Sequence, residues 1–231
     1  MRTILTRALA GLVFVLCALC TRAQVSFSAG NVAISINEKG SLTELKNTIT
    51  GRNYLYSETI APLLTLVSGN KRYTPVSLRY NKTTQLVQLK YAAGVNIDIK
   101  VTTKSGYLVF ELVKAVPEKM VEAIIWGPYP TTVSNKVGEV VGVVRDADIA
   151  IGMQVLTVKT LGGDFPNSEG STWARGIAAI PHTWGSSLQA YTINRNRDRR
   201  VDAWGGEFKQ MPVKAIAGET VVGSKIALFS C

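Results

Sequence analysis

The sequence predicts an all-β chain folded as a large antiparallel β-sandwich, a super-sandwich with irregular loops, and three observations carry that prediction. Apolar and polar residues alternate along most of the chain: Val95, Ile97, Ile99 and Val101 interleave with Asn96, Asp98, Lys100 and Thr102. Turn chemistry punctuates these runs at Glu38-Lys39-Gly40, Ser68-Gly69-Asn70, Ala93-Gly94, Lys104-Ser105-Gly106 and Ala217-Gly218. No stretch shows the periodicity of a long amphipathic helix. Strands spaced roughly ten residues apart, joined by polar turns, stack as two sheets. A closed barrel is the alternative, and the long strands with well-kept polar faces favour the sandwich.

The chain opens with Arg2 and Arg7 ahead of an apolar run, Ala8–Leu19. Thr21-Arg22-Ala23 then puts small residues at the −3 and −1 positions for cleavage before Gln24. Residues 1–23 thus read as a secretory signal peptide whose apolar core is too short to span a bilayer. Lipid anchoring at Cys20 is the rival reading, but Leu19 stands where a lipobox calls for a small residue. The mature chain, 24–231, is expected to be secreted or periplasmic, a single β-sandwich domain with no transmembrane segment.

Several strands follow in order. Val32, Ile34 and Ile36 point away from Asn31, Ala33 and Ser35, and further strands are expected at Leu86–Tyr91, Tyr107–Lys114, Met120–Trp126, Leu188–Ile193 and Val221–Phe229. Short helical pieces fit only near Pro117–Lys119 and Glu58–Leu64. The longest apolar stretch, Val137–Gly163, is broken by Asp146-Ala147-Asp148 and reads as a hairpin. A three-residue turn there sets Gly142 opposite Gly152. Val141, Val143, Ile151 and Met153 would then face the core. The glycine pair would leave a shallow pit against which something bulky can lie.

Charge and cysteine count narrow the partners. Without the three leader arginines, 23 basic residues stand against 16 acidic ones, a charge of +7. An exported basic protein meets anionic glycans or cell surfaces rather than nucleic acid, although excess lysine also serves solubility alone. Cys231 is the only cysteine of the mature chain and His182 the only histidine, so no disulfide framework and no zinc spacing exists. The glycine-rich Leu161–Gly170 lacks the Lys-Ser/Thr of a phosphate loop. No cofactor or metal is called for.

The segment Asn31–Tyr56, NVAISINEKGSLTELKNTITGRNYLY, joins a strand, a glycine turn, a Leu-x-x-Leu strand and an Asn-Thr-x-Thr-Gly-x-x-Tyr stretch. It resembles the opening of galactose-mutarotase-like super-sandwich domains, which begin many secreted glycoside hydrolases and polysaccharide lyases. The stretch Val137–Gly163 and the last strand, Ser224–Cys231, resemble uncharacterised secreted bacterial proteins of that kind. The resemblance implies an accessory N-terminal domain that shapes or contacts a polysaccharide or oligosaccharide site. It also implies a larger catalytic region, often a barrel, beyond Cys231. A mutarotase needs two histidines and a glutamate on its sugar face, and this chain has a single histidine.

The candidate site residues gather in the irregular region Thr160–Gly206. Trp173, Trp184 and Trp204 sit there in polar, glycine-rich context and could offer flat apolar faces to sugar rings. Trp126 and Tyr129 could do the same, although Trp126 lies in an apolar strand that reads as core. Arg195, Arg197 and Arg199 would share one side of an extended segment, a row able to grip carboxylates or sulfates. Asp198 and Asp202 could equally neutralise them. His182, and Asp202 beside the arginines, are the candidates for acid–base chemistry, with His182 tucked against Trp184 as the structural alternative. Paired carboxylates for glycoside hydrolysis exist in name at Asp146/Asp148, Asp164/Glu169 and Asp198/Asp202, but no spacing singles one out. Three readings stay open: an accessory glycan-contacting domain, a glycan-acting enzyme with glycoside hydrolysis foremost, and a surface interaction module with no glycan role.

Overall fold

The structure, a computed structural model, describes residues 24–163, 165, 178–202 and 210–231. The leader, Asp164, Glu169, Trp173 and Trp204 lie outside the described residues. The chain is all-β. The first strands are β1 (Val25–Ala29), β2 (Val32–Ile36), β3 (Leu42–Asn47), β4 (Leu64–Ser68) and β5 (Lys71–Tyr73). β6 (Pro75–Asn81), β7 (Leu86–Tyr91), β8 (Asn96–Thr103) and β9 (Tyr107–Val116) follow, then a 3-10 turn at Glu118–Met120 and β10 (Ala123–Thr131). Next come β11 (Lys136–Gly138), β12 (Val143–Arg145), β13 (Ala150–Val155), β14 (Leu161–Gly162), β15 (Ala179–His182) and β16 (Gly185–Ile193). The last are β17 (Arg199–Asp202), β18 (Gln210–Val213) and β19 (Lys225–Ser230). The helical piece expected near Pro117–Lys119 is that 3-10 turn, whereas 58–64 holds no helix.

Two antiparallel sheets form the sandwich. The larger has the order β11-β12-β13-β19-β9-β8-β7-β6, and the smaller β14-β16-β10-β4-β5 with β15 also on β16. A three-stranded sheet, β1-β2-β3, and the β17-β18 ribbon stand beside them. Alternation decides what lies between the sheets. Val87 and Leu89, Ile97 and Ile99, and Phe110 and Leu112 point in from the large sheet. Leu64, Leu66, Ile124, Trp126 and Leu188 point in from the small one. Trp126 and Tyr129 are both buried, so neither offers a face to a ligand. Tyr129 donates its hydroxyl to the Leu63 carbonyl at 2.8 Å, and burial pushes its phenol pKa up.

The sandwich closes on a ring of hydroxyls. Trp126 on β10 donates Nε1–H to Ser224 Oγ, just ahead of β19, at 2.9 Å. Ser224 Oγ meets Thr192 Oγ1 of β16 at 2.7 Å and Thr160 Oγ1 at 3.1 Å, and Thr192 donates to Thr160 at 3.2 Å. Each hydroxyl can therefore donate once around the ring while Ser224 also accepts the indole N–H.

The stretch Val137–Gly163 differs from the single hairpin expected. Its strands β11, β12 and β13 make the edge of the large sheet, and β14 crosses to the small one. Asp146 N–H bonds the Ile149 carbonyl at 2.9 Å, leaving Ala147-Asp148 as the loop, and Val143 rather than Gly142 pairs with Gly152. A one-residue slip turns a strand over. Val144 is consequently buried beside Ile151 and Met153, and Val141 is 63% exposed. The glycine pit does not form as a pair. Gly152 instead pairs with Phe229, whose ring lies so close that a Cβ on Gly152 would come within 2.3 Å of it.

Ser224→Ala removes the hydroxyl that a buried indole and two buried threonines share as hydrogen-bond partner. It is expected to lower unfolding free energy by about 1–3 kcal/mol in urea denaturation. Thr157→Ala, at the partly exposed margin of the same cluster, should cost less than about 1 kcal/mol.

Candidate functional site

A groove of about 290 Å³ opens on the outer face of the small sheet, lined in part by Ile60, Pro128, Pro130, Ile180, His182 and Trp184. The strand pattern places it there. On β16, Leu188, Ala190 and Thr192 are turned to the inter-sheet core, which leaves Ser187 and Gln189 on the opposite side. A register shift between Trp126 and Tyr129 keeps Tyr129 in the core and sets Pro128 and Pro130 outward beside them. β15 adds Ile180 opposite Ser187 and His182 opposite Gly185. The far end of the same face is closed by a small core of Val67, Ala123, Ile125, Phe165 and Tyr191.

One end of the groove is built from three stacked rings. Trp184 lies 4.4 Å from His182 with 7° between the planes, and 4.3 Å from Tyr56 with 8°. Two rings at those distances on one face of the indole would overlap each other, so Tyr56 and His182 take opposite faces. Trp184, expected as a sugar platform, thus has both faces covered and turns only its edge to the groove. The stack is anchored at each end. Tyr56 N–H bonds the Pro130 carbonyl at 3.1 Å and its hydroxyl donates to Glu58 Oε2 at 2.7 Å. His182 Nε2 sits 3.0 Å from Ser187 Oγ. His182 is exposed, Trp184 half-buried and Ser187 buried. Sequence reasoning singled out Trp184 and His182 and missed Tyr56, Ser187, Pro128 and Pro130. The only signal for these was alternation from Leu188, which puts Ser187 and Gln189 outward.

The arginine row stands elsewhere. Burial does alternate, with Arg195, Arg197 and Arg199 half-buried and Asn196, Asp198 and Arg200 exposed. The segment leaves β16 after Ile193, however, so Ser187 in the groove and Ile193 are separated by about 20 Å of strand. Arg197 Nη1 pairs with Glu122 Oε1 at 2.9 Å instead of waiting for a ligand. Burial raises the Glu122 pKa, but the Asn70 N–H and the Arg197 guanidinium outweigh it and hold the carboxyl below its usual value. Arg199 Nη1 is buried without a hydrogen-bond partner among the described residues, on the β17–β18 ribbon that pairs with neither large sheet. Asp198 bonds Lys214 at 2.7 Å and the Ala215 N–H at 2.9 Å, so its partner is a lysine and not the arginines. Asp202 pairs with Gln210 in that ribbon; its side chain lies outside the description.

The acidic pair at the hairpin tip is divided between two structural duties. Asp146 Oδ1 accepts the N–H groups of Ser134 and Asn135 at 3.2 and 2.9 Å. Asp148 Oδ2 accepts the Tyr54 hydroxyl at 2.7 Å, with Arg52 Nη1 at 3.5 Å and its guanidinium 4.8 Å over the Tyr54 ring. The Tyr54 hydroxyl, aided by Arg52, holds the Asp148 carboxyl below its ordinary range. Among the described residues, no three of His, Cys, Asp and Glu converge as a metal site, and no helix is long and apolar enough to cross a membrane.

Two tests follow from this geometry. Gly185 has φ +148°, and a Cβ on it would stand 2.0 Å from the Thr131 carbonyl oxygen of β10. Gly185→Ala must therefore part β15–β16 from β10, costing about 3 kcal/mol or more in thermal or urea unfolding and releasing the aromatic stack. Asp148 has a folded pKa below its unfolded value, so its contribution is present above the unfolded pKa and lost as pH falls through the folded one. Acid titration of stability should show that loss in the native chain, and Asp148→Asn should flatten it. No known protein family's sequence model matches this chain, and a search of curated proteins finds none that matches it.

Proposed function

We propose that this chain is the accessory β-sandwich domain of a secreted carbohydrate-active protein, of the galactose-mutarotase-like kind, and that it holds a glycan in the groove beside Trp184. The observation that carries this reading is the groove itself, a preformed concavity with a rigid aromatic end wall and few polar groups. Its volume of about 290 Å³ falls at the small end of ligand sites, which run from roughly 300 Å³ upward, and suits one or two sugar rings. Holding rather than cleaving is favoured by the carboxylates. Asp146, Asp148 and Asp198 are engaged in internal hydrogen bonds, so none stands ready as half of an acid–base pair. On this reading the chain is exported, its leader removed before Gln24, and catalysis belongs to another domain.

A second reading, an enzyme acting on the glycan, has one observation of its own. His182 Nε2 is 3.0 Å from Ser187 Oγ in the groove, the contact a histidine base makes with a hydroxyl.

Calorimetric titration of the purified chain with a panel of neutral and acidic oligosaccharides tests the first reading. Binding is expected to weaken roughly tenfold or more in Trp184→Ala, which removes the ring between Tyr56 and His182 and so opens the end wall of the groove. The absence of binding across the panel would remove the glycan reading. Cleavage that disappears in both His182→Ala and Ser187→Ala would replace it with the enzymatic one.

A further inference from the structure

We infer that the groove selects an uncharged sugar ring carrying a methyl group, either a 6-deoxyhexose or an O-methylated hexose. This rests on the glycan reading above and names the class of sugar. Among the nine residues lining the groove none is Asp, Glu, Lys or Arg, so its charge complement is a neutral ring. The arginines that would have fitted a uronate or sulfate begin beyond the end of β16.

Hydrogen-bond accounting decides the rest. The β10 part of the floor is Pro128 and Pro130, which have no N–H to give. The Pro130 carbonyl already accepts Tyr56 N–H at 3.1 Å. Ser187 Oγ is engaged with His182 Nε2. The lining also has an aliphatic part, with Ile180 on β15 and Ile60, which is 70% exposed. A hydroxyl pressed against the Pro128, Ile60 and Ile180 side chains would lose its water without gaining a partner from them, which costs free energy, whereas a methyl group there gains it by leaving water. Polar recognition falls to Ser187 and Gln189 on β16, beside the prolines, and to Thr59 and His182, which also line the groove. An isoleucine exposed to that degree in the lining of a preformed groove is also the group a ligand methyl would cover.

The test is calorimetry of the full chain with matched sugars. L-fucose is compared with L-galactose, L-rhamnose with L-mannose, and 6-O-methyl-D-galactose with D-galactose, and D-glucuronic acid serves as the charged ring. At least one methyl-bearing sugar is expected to bind about tenfold or more tightly than its hydroxylated counterpart, the range for a methyl or methylene in an apolar pocket. Which pair shows the preference separates the deoxy source from the O-methyl one. Ile60→Ser, at an exposed position that leaves the core intact, and Ile180→Thr should each reduce the preference, the methyl-bearing sugar losing more affinity than its hydroxylated partner. Equal affinity within all three pairs, or tighter binding of glucuronic acid, overturns this inference and leaves the glycan reading in place. No binding by any of these sugars or by the wider oligosaccharide panel overturns both.

Discussion

The hydroxyl of Ser224 is the point on which the two sheets depend. It accepts the buried indole N–H of Trp126 and closes a ring with Thr160 and Thr192. All four groups are removed from water, so each would carry a desolvation penalty if its partner moved. Hydrophobic contact between sheets is non-directional and tolerates sliding, whereas this ring holds in only one alignment. It joins β10 and β16 of the small sheet to the start of β19 at the centre of the large one. The strands that floor the groove are therefore the strands whose inner faces are pinned most tightly.

That pinning explains why the groove can be preformed. β10 and β16 present Thr192, Trp126 and Leu188 inward and Ser187, Gln189, Pro128 and Pro130 outward, so rigidity on one face is inherited by the other. The aromatic end wall adds its own order. Trp184 is clamped between Tyr56 and His182, and the backbone of its turn is set by Gly185, which lies against Thr131 where no side chain fits. A covered indole is a poor platform for a sugar but a firm wall, and walls of that kind lower the ordering cost of binding.

Close backbone approaches recur where the sequence has glycine. Gly152 takes the Phe229 ring across β13 and β19, filling from within the space a glycine leaves on a strand. Gly142 lies outside the ladder at φ +67°, where its carbonyl accepts the Met153 N–H at 2.9 Å. These two residues look equivalent in an alternating apolar stretch, yet one is a packing site and the other a turn.

Period-two alternation by itself determined the all-β class, the inward residues of β2, β7 and β8, and the burial of Trp126, because on a strand side-chain direction follows from parity alone. Composition, not alternation, marked Trp184 and His182: a tryptophan in a glycine-rich stretch and the chain's single histidine two residues before it. Parity could not supply register. A turn of two residues instead of three moved Val143 opposite Gly152 and turned β12 over, and only the hydrogen bond from Asp146 N–H to Ile149 decided between them. Nor could it supply partners from afar. Tyr56 meets Trp184, Tyr54 meets Asp148, and Arg197 meets Glu122 across long stretches of chain. A residue's role at such a meeting is set by what the other chain segment brings, which is a property of the tertiary structure and of no local pattern.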